Sequence, residues 1–395
     1  MERFKVPAQV LGLIAVLLLF FISLELMGDS FKLMGSGFAD SLLKTTSNPF
    51  VGLFIGILAT SMVQSSSTVT AMVVGVVAGG GLTVAGAIPI VMGANVGTSV
   101  TNTIVSLGHI TRKDEFERAM GAATVHDFFN LIAVAIFFPV ELTTGFLSKA
   151  ARGLATGLSD MGGAELLNPV TVITQPVADV VISFAADNGI VILGIGVVLL
   201  FVSLRYLVVL LRLLLLGRSE RIINKYLFGP APLALLFGVL VTIMVQSSSI
   251  TTSITVPLVG AGIVTVARIF PFVLGANIGT TVTALLAALV LAGGGDAEGM
   301  AALQVAFAHL CFNIGGVLLV LPVRQLRQIP IWMAENLGSL VAKNRAYAFG
   351  YIAAIFFLLP LLVIFATRNL DTSFYENDPV ELQNSRPNNP SVPTP

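Results

Sequence analysis

A chain of 395 residues with 21 basic and 21 acidic side chains, 55% hydrophobic residues and a mean hydropathy of +0.94 is too apolar for an ordinary soluble domain. Its formal net charge of zero gives no sign of a nucleic-acid partner. The single cysteine, Cys311, excludes an internal disulfide, and three histidines leave little for a metal cluster or a Ser–His–Asp arrangement. No charged residue lies between Lys44 and Arg112, and only Arg268 interrupts the run from Lys225 to Asp296. Such runs far exceed the roughly 20 apolar residues that one membrane helix needs. An all-α polytopic membrane protein is predicted.

In chain order, Arg3 and Lys5 precede an apolar run from Ala8 that is too long for a signal-peptide core and predicts a first span, Ala8–Leu26. Residues 31–44 read as a short amphipathic interfacial helix. Phe50–Val63 is about 14 residues, too short to cross a core of about 30 Å. It meets Gln64-Ser65-Ser66-Ser67-Thr68, and a second short run ends at Gly79-Gly80-Gly81. This half-length, stop, half-length pattern predicts a re-entrant helical hairpin. Leu82–Met92 predicts a half-helix broken at Gly93-Ala94-Asn95-Val96-Gly97 and resumed by Thr98–Leu107, although the glycines also fit close small-xxx-small packing. A charged surface loop, His109–Arg118, leads to a span over Ala119–Val140 that carries His126, Asp127 and Asn130.

The polar Glu141–Asp187 segment reads as a connector. A span over Ile190–Leu216 follows, with Arg205 and Arg212 snorkelling near one end. Then the plan repeats: Pro232–Val245, the tip Gln246-Ser247-Ser248-Ser249, Thr251–Gly262, a break at Gly275–Gly279, Thr280–Leu291, and a span over Met300–Leu321 carrying His309 and Asn313. Gln246 lies 182 positions after Gln64 and Asn277 lies 182 after Asn95; from Gln64 to Thr101, 20 of 38 positions are identical in the second copy. Both halves contain His-x-x-x-Asn, as His126/Asn130 and His309/Asn313. A basic amphipathic stretch, Arg324–Arg345, and a last span, Tyr347–Thr367, precede a tail expected to be disordered.

Lysine and arginine placement orients the chain. Arg3, Lys5, Arg218, Arg221, Lys225, Arg324, Arg327, Lys343 and Arg345 are expected in the cytoplasm, and the connector outside. The two repeats are then inverted. The expected organisation is a first repeat with its N-terminal span over 1–142, an external connector over 143–187, a second repeat over 188–345, a last helix over 346–367 and an external tail over 368–395.

Inverted repeats with paired broken helices are the plan of a secondary transporter with a mid-membrane site. Free backbone N–H groups at a helix start attract an anion. Ser65, Ser66, Ser67 and Thr68, with Ser247, Ser248 and Ser249, add hydroxyl donors there. Oxygens of Asn95, Thr98, Thr101, Asn102, Asn277, Thr280 and Thr283 suit a hard monovalent cation such as Na+. Gln64 and Gln246 can serve either ion, because an amide both donates and accepts. The motif holds no Arg or Lys to balance an oxyanion, so co-bound cations would have to supply the charge, which is symport stated as electrostatics. Asp127, ionisable within a span, reads as functional. The histidines read as bracing the core through Asn130 and Asn313, and Thr60, Thr70, Thr242 and Thr255 as bonding nearby backbone.

The Gln-Ser-Ser-Ser tips, the segment Gly93–Val105 and the segment Ala123–Asn130 resemble the type II sodium-dependent phosphate cotransporter family, over about residues 50–140 and 232–367. The resemblance implies sodium-driven phosphate uptake, tips that face each other, no cofactor beyond Na+ as coupling ion, and a charge-moving role for Asp127, which matches an acidic position that accompanies electrogenic transport. The chain departs from animal members in a shorter connector without their cysteine pair and in lacking one further span; no regulatory domain is expected after the last span. A bacterial inner-membrane location is the simplest expectation. A sodium-coupled carrier of another oxyanion and an anion channel remain open as alternatives.

Overall fold

The computed structural model describes residues 5–34, 48–160, 168–215, 229–293 and 297–367. The expected interfacial helix beyond Met34, the basic cluster Arg218–Lys225 and the tail after Thr367 lie outside the described residues, as do Arg3 and Lys44.

Every regular element among the described residues is helical. The first half contains α1 (Lys5–Met34), α2 (Pro49–Val63), α3 (Ser66–Ala78), α4 (Val84–Gly97), α5 (Val100–Ser106), α6 (Lys113–Thr144) and α7 (Phe146–Asp160). After α8 (Asn168–Phe184) come α9 (Gly189–Leu215), α10 (Ala231–Val245), α11 (Ser248–Ser253), α12 (Thr255–Gly260), α13 (Val266–Ala292), α14 (Ala297–Val320) and α15 (Arg324–Lys343). The last helix, α16 (Ala346–Thr367), contains one π-helical turn at Ala354–Leu358. Among the described residues seven helical segments, with α4 and α5 taken together, are long and apolar enough to cross a membrane, and the chain is an integral membrane protein.

The two halves interlock. α3 packs on α13 and α14, while α11 packs on α5 and α12 on α6. α7 packs on α14 as α15 packs on α6, so the helix that opens the expected connector takes the place in the first half that α15 takes in the second. One large apolar cluster joins α1, α3 and α9 to α13 and α14; another joins α6 to α12, α13 and α15. Each half therefore buries its apolar faces against the other.

Two expectations change. α13 runs unbroken through Gly275–Gly279, and α4 also continues through Gly93–Gly97, pausing only at Thr98–Ser99 before α5. The glycines serve packing instead. A Cβ on Gly93 would stand 1.9 Å from the Leu53 carbonyl oxygen, and one on Gly56 would stand 2.0 Å from that of Ile90. The mirror contacts are Gly275 against Leu235, 2.0 Å, and Gly238 against Phe272, 2.1 Å. Only a residue without a side chain lets α2 lie this close to α4, and α10 to α13. Next, the expected loop His109–Arg118 becomes helix from Lys113, with Asp114 and Glu115 favourably placed in its first turn. Arg268, the charge that interrupts the second apolar run, lies in the first turn of α13.

Candidate functional site: two serine tips and a buried amide–imidazole network

Each tip is built from the same backbone device. Gln64 ends α2 in the left-handed region at φ 57°, its N–H donating to Thr60 O at 2.7 Å. Gln246 ends α10 at φ 54°, with its N–H on Thr242 O at 2.7 Å. These are two of only four non-glycine residues with positive φ among the described residues, and such strain persists where the surrounding structure holds it. The chain then turns extended. Ser65 caps α3, accepting from Thr68 N at 3.2 Å, and Ser247 caps α11, accepting from Ile250 N at 3.3 Å. Ser65 Oγ also lies 2.7 Å from Thr68 Oγ1. Ser66, Ser67, Thr68, Ser248 and Ser249 are buried, whereas Gln64 is exposed and Gln246 half-buried. α2 and α3, at 15 and 13 residues, extend about 22 and 20 Å.

The residues read as cation ligands fall in two groups. Thr283 Oγ1 donates to Gln246 Oε1 at 2.5 Å, which brings the second tip onto α13, and Gln246 Nε2 donates to Ile243 O. In the first half the equivalent hydroxyl, Thr101 Oγ1, is buried without a partner. Asn102 Nδ2 donates to Thr252 Oγ1 of the opposite half at 2.7 Å, leaving its own Oδ1 buried and unpaired. Thr98 and Thr280 donate to the carbonyls of Ala94 and Ala276.

Asn95 and Asn277 instead meet the histidines across the interface between halves. His126 Nε2 lies 2.8 Å from Asn277 Oδ1, and His309 Nε2 lies 3.2 Å from Asn95 Oδ1. Asn277 Nδ2 donates to Asn130 Oδ1 at 2.8 Å, and Asn130 Nδ2 to Asn95 O at 3.3 Å, itself 3.2 Å from the His126 ring. Ser99 Oγ lies 2.6 Å from His126 Nδ1. Asn313 Nδ2 turns to His309 O. Bracing thus runs between repeats as well as within each His-x-x-x-Asn unit.

Asp127 is buried beside this network, with its Oδ2 accepting from the Tyr351 hydroxyl at 2.9 Å and its Oδ1 unpartnered. Thr70 and Thr255 bond the backbone, as read from the sequence, but Thr60 and Thr242 are buried with free hydroxyls one turn before each tip. Tyr351, Ser99, Thr60 and Thr242 are the site neighbours that sequence reasoning missed or dismissed. For the threonines the signal was present, since both precede the tip glutamine by four residues.

Residues 19–162 and 199–342 each match the model of the Na+/Pi-cotransporter family. The chain belongs to that family. The two matches coincide with the interlocking halves, α1–α7 and α9–α15, and leave α8 and α16 outside. Among curated relatives, sodium-dependent phosphate transport protein 2A of Ovis aries is 35% identical over 91% of this chain and 67% of its own length. Protein 2B of Homo sapiens is 33% identical over 91% of this chain and 65% of its own length. Protein 2A of Rattus norvegicus is 35% identical over 91% and 67%. The chain thus spans about two thirds of these relatives. No solved structure matches it. The family is one of transporters, not of enzymes.

Proposed function

We propose that this protein is a sodium:phosphate symporter that takes up inorganic phosphate by alternating access. The observation that carries the reading is the doubled tip: a left-handed glutamine, then a serine cap, then buried serines at a new helix start, in both halves of a cotransporter-family chain. Phosphate oxygens would be held by Ser65, Ser66, Ser67, Thr68, Ser247, Ser248 and Ser249 and by the free N–H groups opening α3. Sodium would be held by oxygens of Gln64, Asn95, Thr98, Thr101, Asn102, Gln246, Asn277, Thr280 and Thr283. The unpartnered Thr101 Oγ1 and Asn102 Oδ1 support this, being buried acceptors that want a cation. The short α2 and α3 are read as re-entrant, meeting their mirror images at mid-membrane.

Because no Arg or Lys stands in either tip, phosphate and sodium each make the other's burial tolerable, so neither moves alone. Asp127, a buried carboxylate absent from the second half where Leu310 stands, would carry the net charge movement. The proposed setting is a bacterial inner membrane, with the N-terminus cytoplasmic and the tail outside. Uptake of radiolabelled phosphate into proteoliposomes tests the reading. Sodium should drive it and potassium should not, and unlabelled sulfate should compete poorly. Uptake equal in both salts, or abolished by equimolar sulfate, would overturn the assignment.

A further inference from the structure

The buried network has two mirror-related arms, and they are not in the same state. Ser99, His126, Asn130 and Asn277 form one arm. The positions that the repeat relates to these are Thr281, His309, Asn313 and Asn95, each arm drawing one asparagine from the opposite half. In the first arm every bond is made. With His126 Nε2 donating to Asn277 Oδ1, the neutral tautomer leaves Nδ1 to accept from the Ser99 hydroxyl, and Asn277 Nδ2 passes on to Asn130 Oδ1. In the second arm only the middle link exists, the longer His309–Asn95 contact of 3.2 Å.

The atoms left over in the second arm are informative. His309 Nδ1, Asn95 Nδ2 and Asn313 Oδ1 are all buried without a partner. They are the three atoms that the mirror images of the first arm's bonds would use. Their polarities match as well: the Thr281 hydroxyl would donate to His309 Nδ1, and Asn95 Nδ2 to Asn313 Oδ1. Instead, Thr281 donates to Ile278 O at 2.7 Å, and Asn313 Nδ2 turns back to His309 O at 3.0 Å. Three buried orphans in one place are costly, and a polar cluster that is complete on one side and open on the other marks a bistable element.

We propose that the two arms form a latch with two positions, in which Ser99–His126–Asn277–Asn130 is closed in the state described here and Thr281–His309–Asn95–Asn313 closes in the opposite-facing state as the first arm opens. This rests on the alternating-access reading above. The equivalence of inverted repeats supplies the reason: whatever conformation one half holds on one side of the membrane, the other half can hold on the other side. The four pairs are then positioning residues that set the balance between states, and they need not touch phosphate.

The chain contains three histidines, so 15N-histidine labelling in a His109→Gln background leaves a two-residue spectrum in reconstituted membranes. His109 lies on the surface against Glu115, away from the network. Imidazole nitrogen shifts distinguish an Nδ1 that accepts a hydrogen bond from one that does not. The starting pattern should show one bonded Nδ1, His126, and one free, His309. Asn130→Val, which removes the end of the closed arm, should move His309 to the bonded signature and His126 away from it. Asn313→Val should leave the starting pattern in place. Each variant biases one state, so sodium-driven uptake should slow about tenfold in both, and the double variant should recover part of the loss. Unmodified histidine partners compared in sodium phosphate and in potassium chloride give the same reading without any change to the network, with the two rings changing in opposite senses. Rings that stay fixed, or change in the same sense, would overturn the latch. Sodium-driven flux with fixed rings would remove the latch alone, whereas absent flux in the unaltered network would remove the transport reading with it.

Discussion

The Tyr351 hydroxyl donates to Asp127 Oδ2 at 2.9 Å, and the other carboxylate oxygen is buried with no protein partner. Tyr351 stands on α16 just before its π-helical turn, so the last helix, outside both family matches, reaches into the first half to hold this side chain. A π-turn often marks a functional segment of a helix.

That contact makes Asp127 and Tyr351 separable. Asp127→Asn should keep electroneutral phosphate uptake while reducing the current per phosphate. Tyr351→Phe should keep the charge and lose one hydrogen bond, raising half-saturating sodium about three- to tenfold. Voltage-clamp current measured against tracer flux checks both, and an unchanged charge-to-phosphate ratio in Asp127→Asn would remove the role given to that residue.

The serine tips should be sensitive to loss of a single hydroxyl. Ser66→Ala and Ser248→Ala are each expected to cut phosphate uptake by about tenfold or more, since a charge-assisted hydrogen bond contributes about 1.5–3 kcal/mol. Membrane insertion should be normal. Tracer uptake normalised to reconstituted protein decides this, and wild-type rates in both variants would refute the tip assignment.

The contact between Gln246 and Thr283 has no counterpart in the first half, where Thr101 is unpaired. Thr283→Val should therefore weaken sodium dependence by disordering the second tip. Thr101→Val should do so only by removing a ligand oxygen. Sodium titrations of uptake should show a raised half-saturation in both, with lost thermal stability in Thr283→Val alone.

The glycine contacts bear on folding. Gly93→Ala forces a methyl group onto the Leu53 carbonyl and should cost about 3 kcal/mol, with Gly275→Ala similar. Gly153→Ala meets nothing within 4 Å and should raise stability slightly by improving helix propensity. Melting of the detergent-solubilised protein checks the contrast.

Much of this was legible in the chain because repetition and periodicity are local. The tips, the short helices beside them and the spans carrying His126 and His309 follow from the order of residues. Less legible was what a residue does when its partner is distant. Gly93 and Gly275 resemble helix breakers until Leu53 and Leu235 are seen pressed against them, where a glycine permits close approach without leaving the helix. Asn95 and Asn277 could be picked out as oxygen donors by residue type, but the histidines from the other half that hydrogen-bond those same oxygens could not. Asp127 could be singled out by its charge, but Tyr351 lies 224 positions away and nothing in its neighbourhood announces the bond.

The most direct measurement is counterflow of labelled phosphate in proteoliposomes preloaded with unlabelled phosphate, with sodium on both sides or potassium on both sides. A carrier that binds oxyanion and cation together should accumulate label transiently in sodium and not in potassium. Label that merely equilibrates, at equal rates in the two salts, would show an open pathway without coupled binding and would contradict a sodium:phosphate symporter.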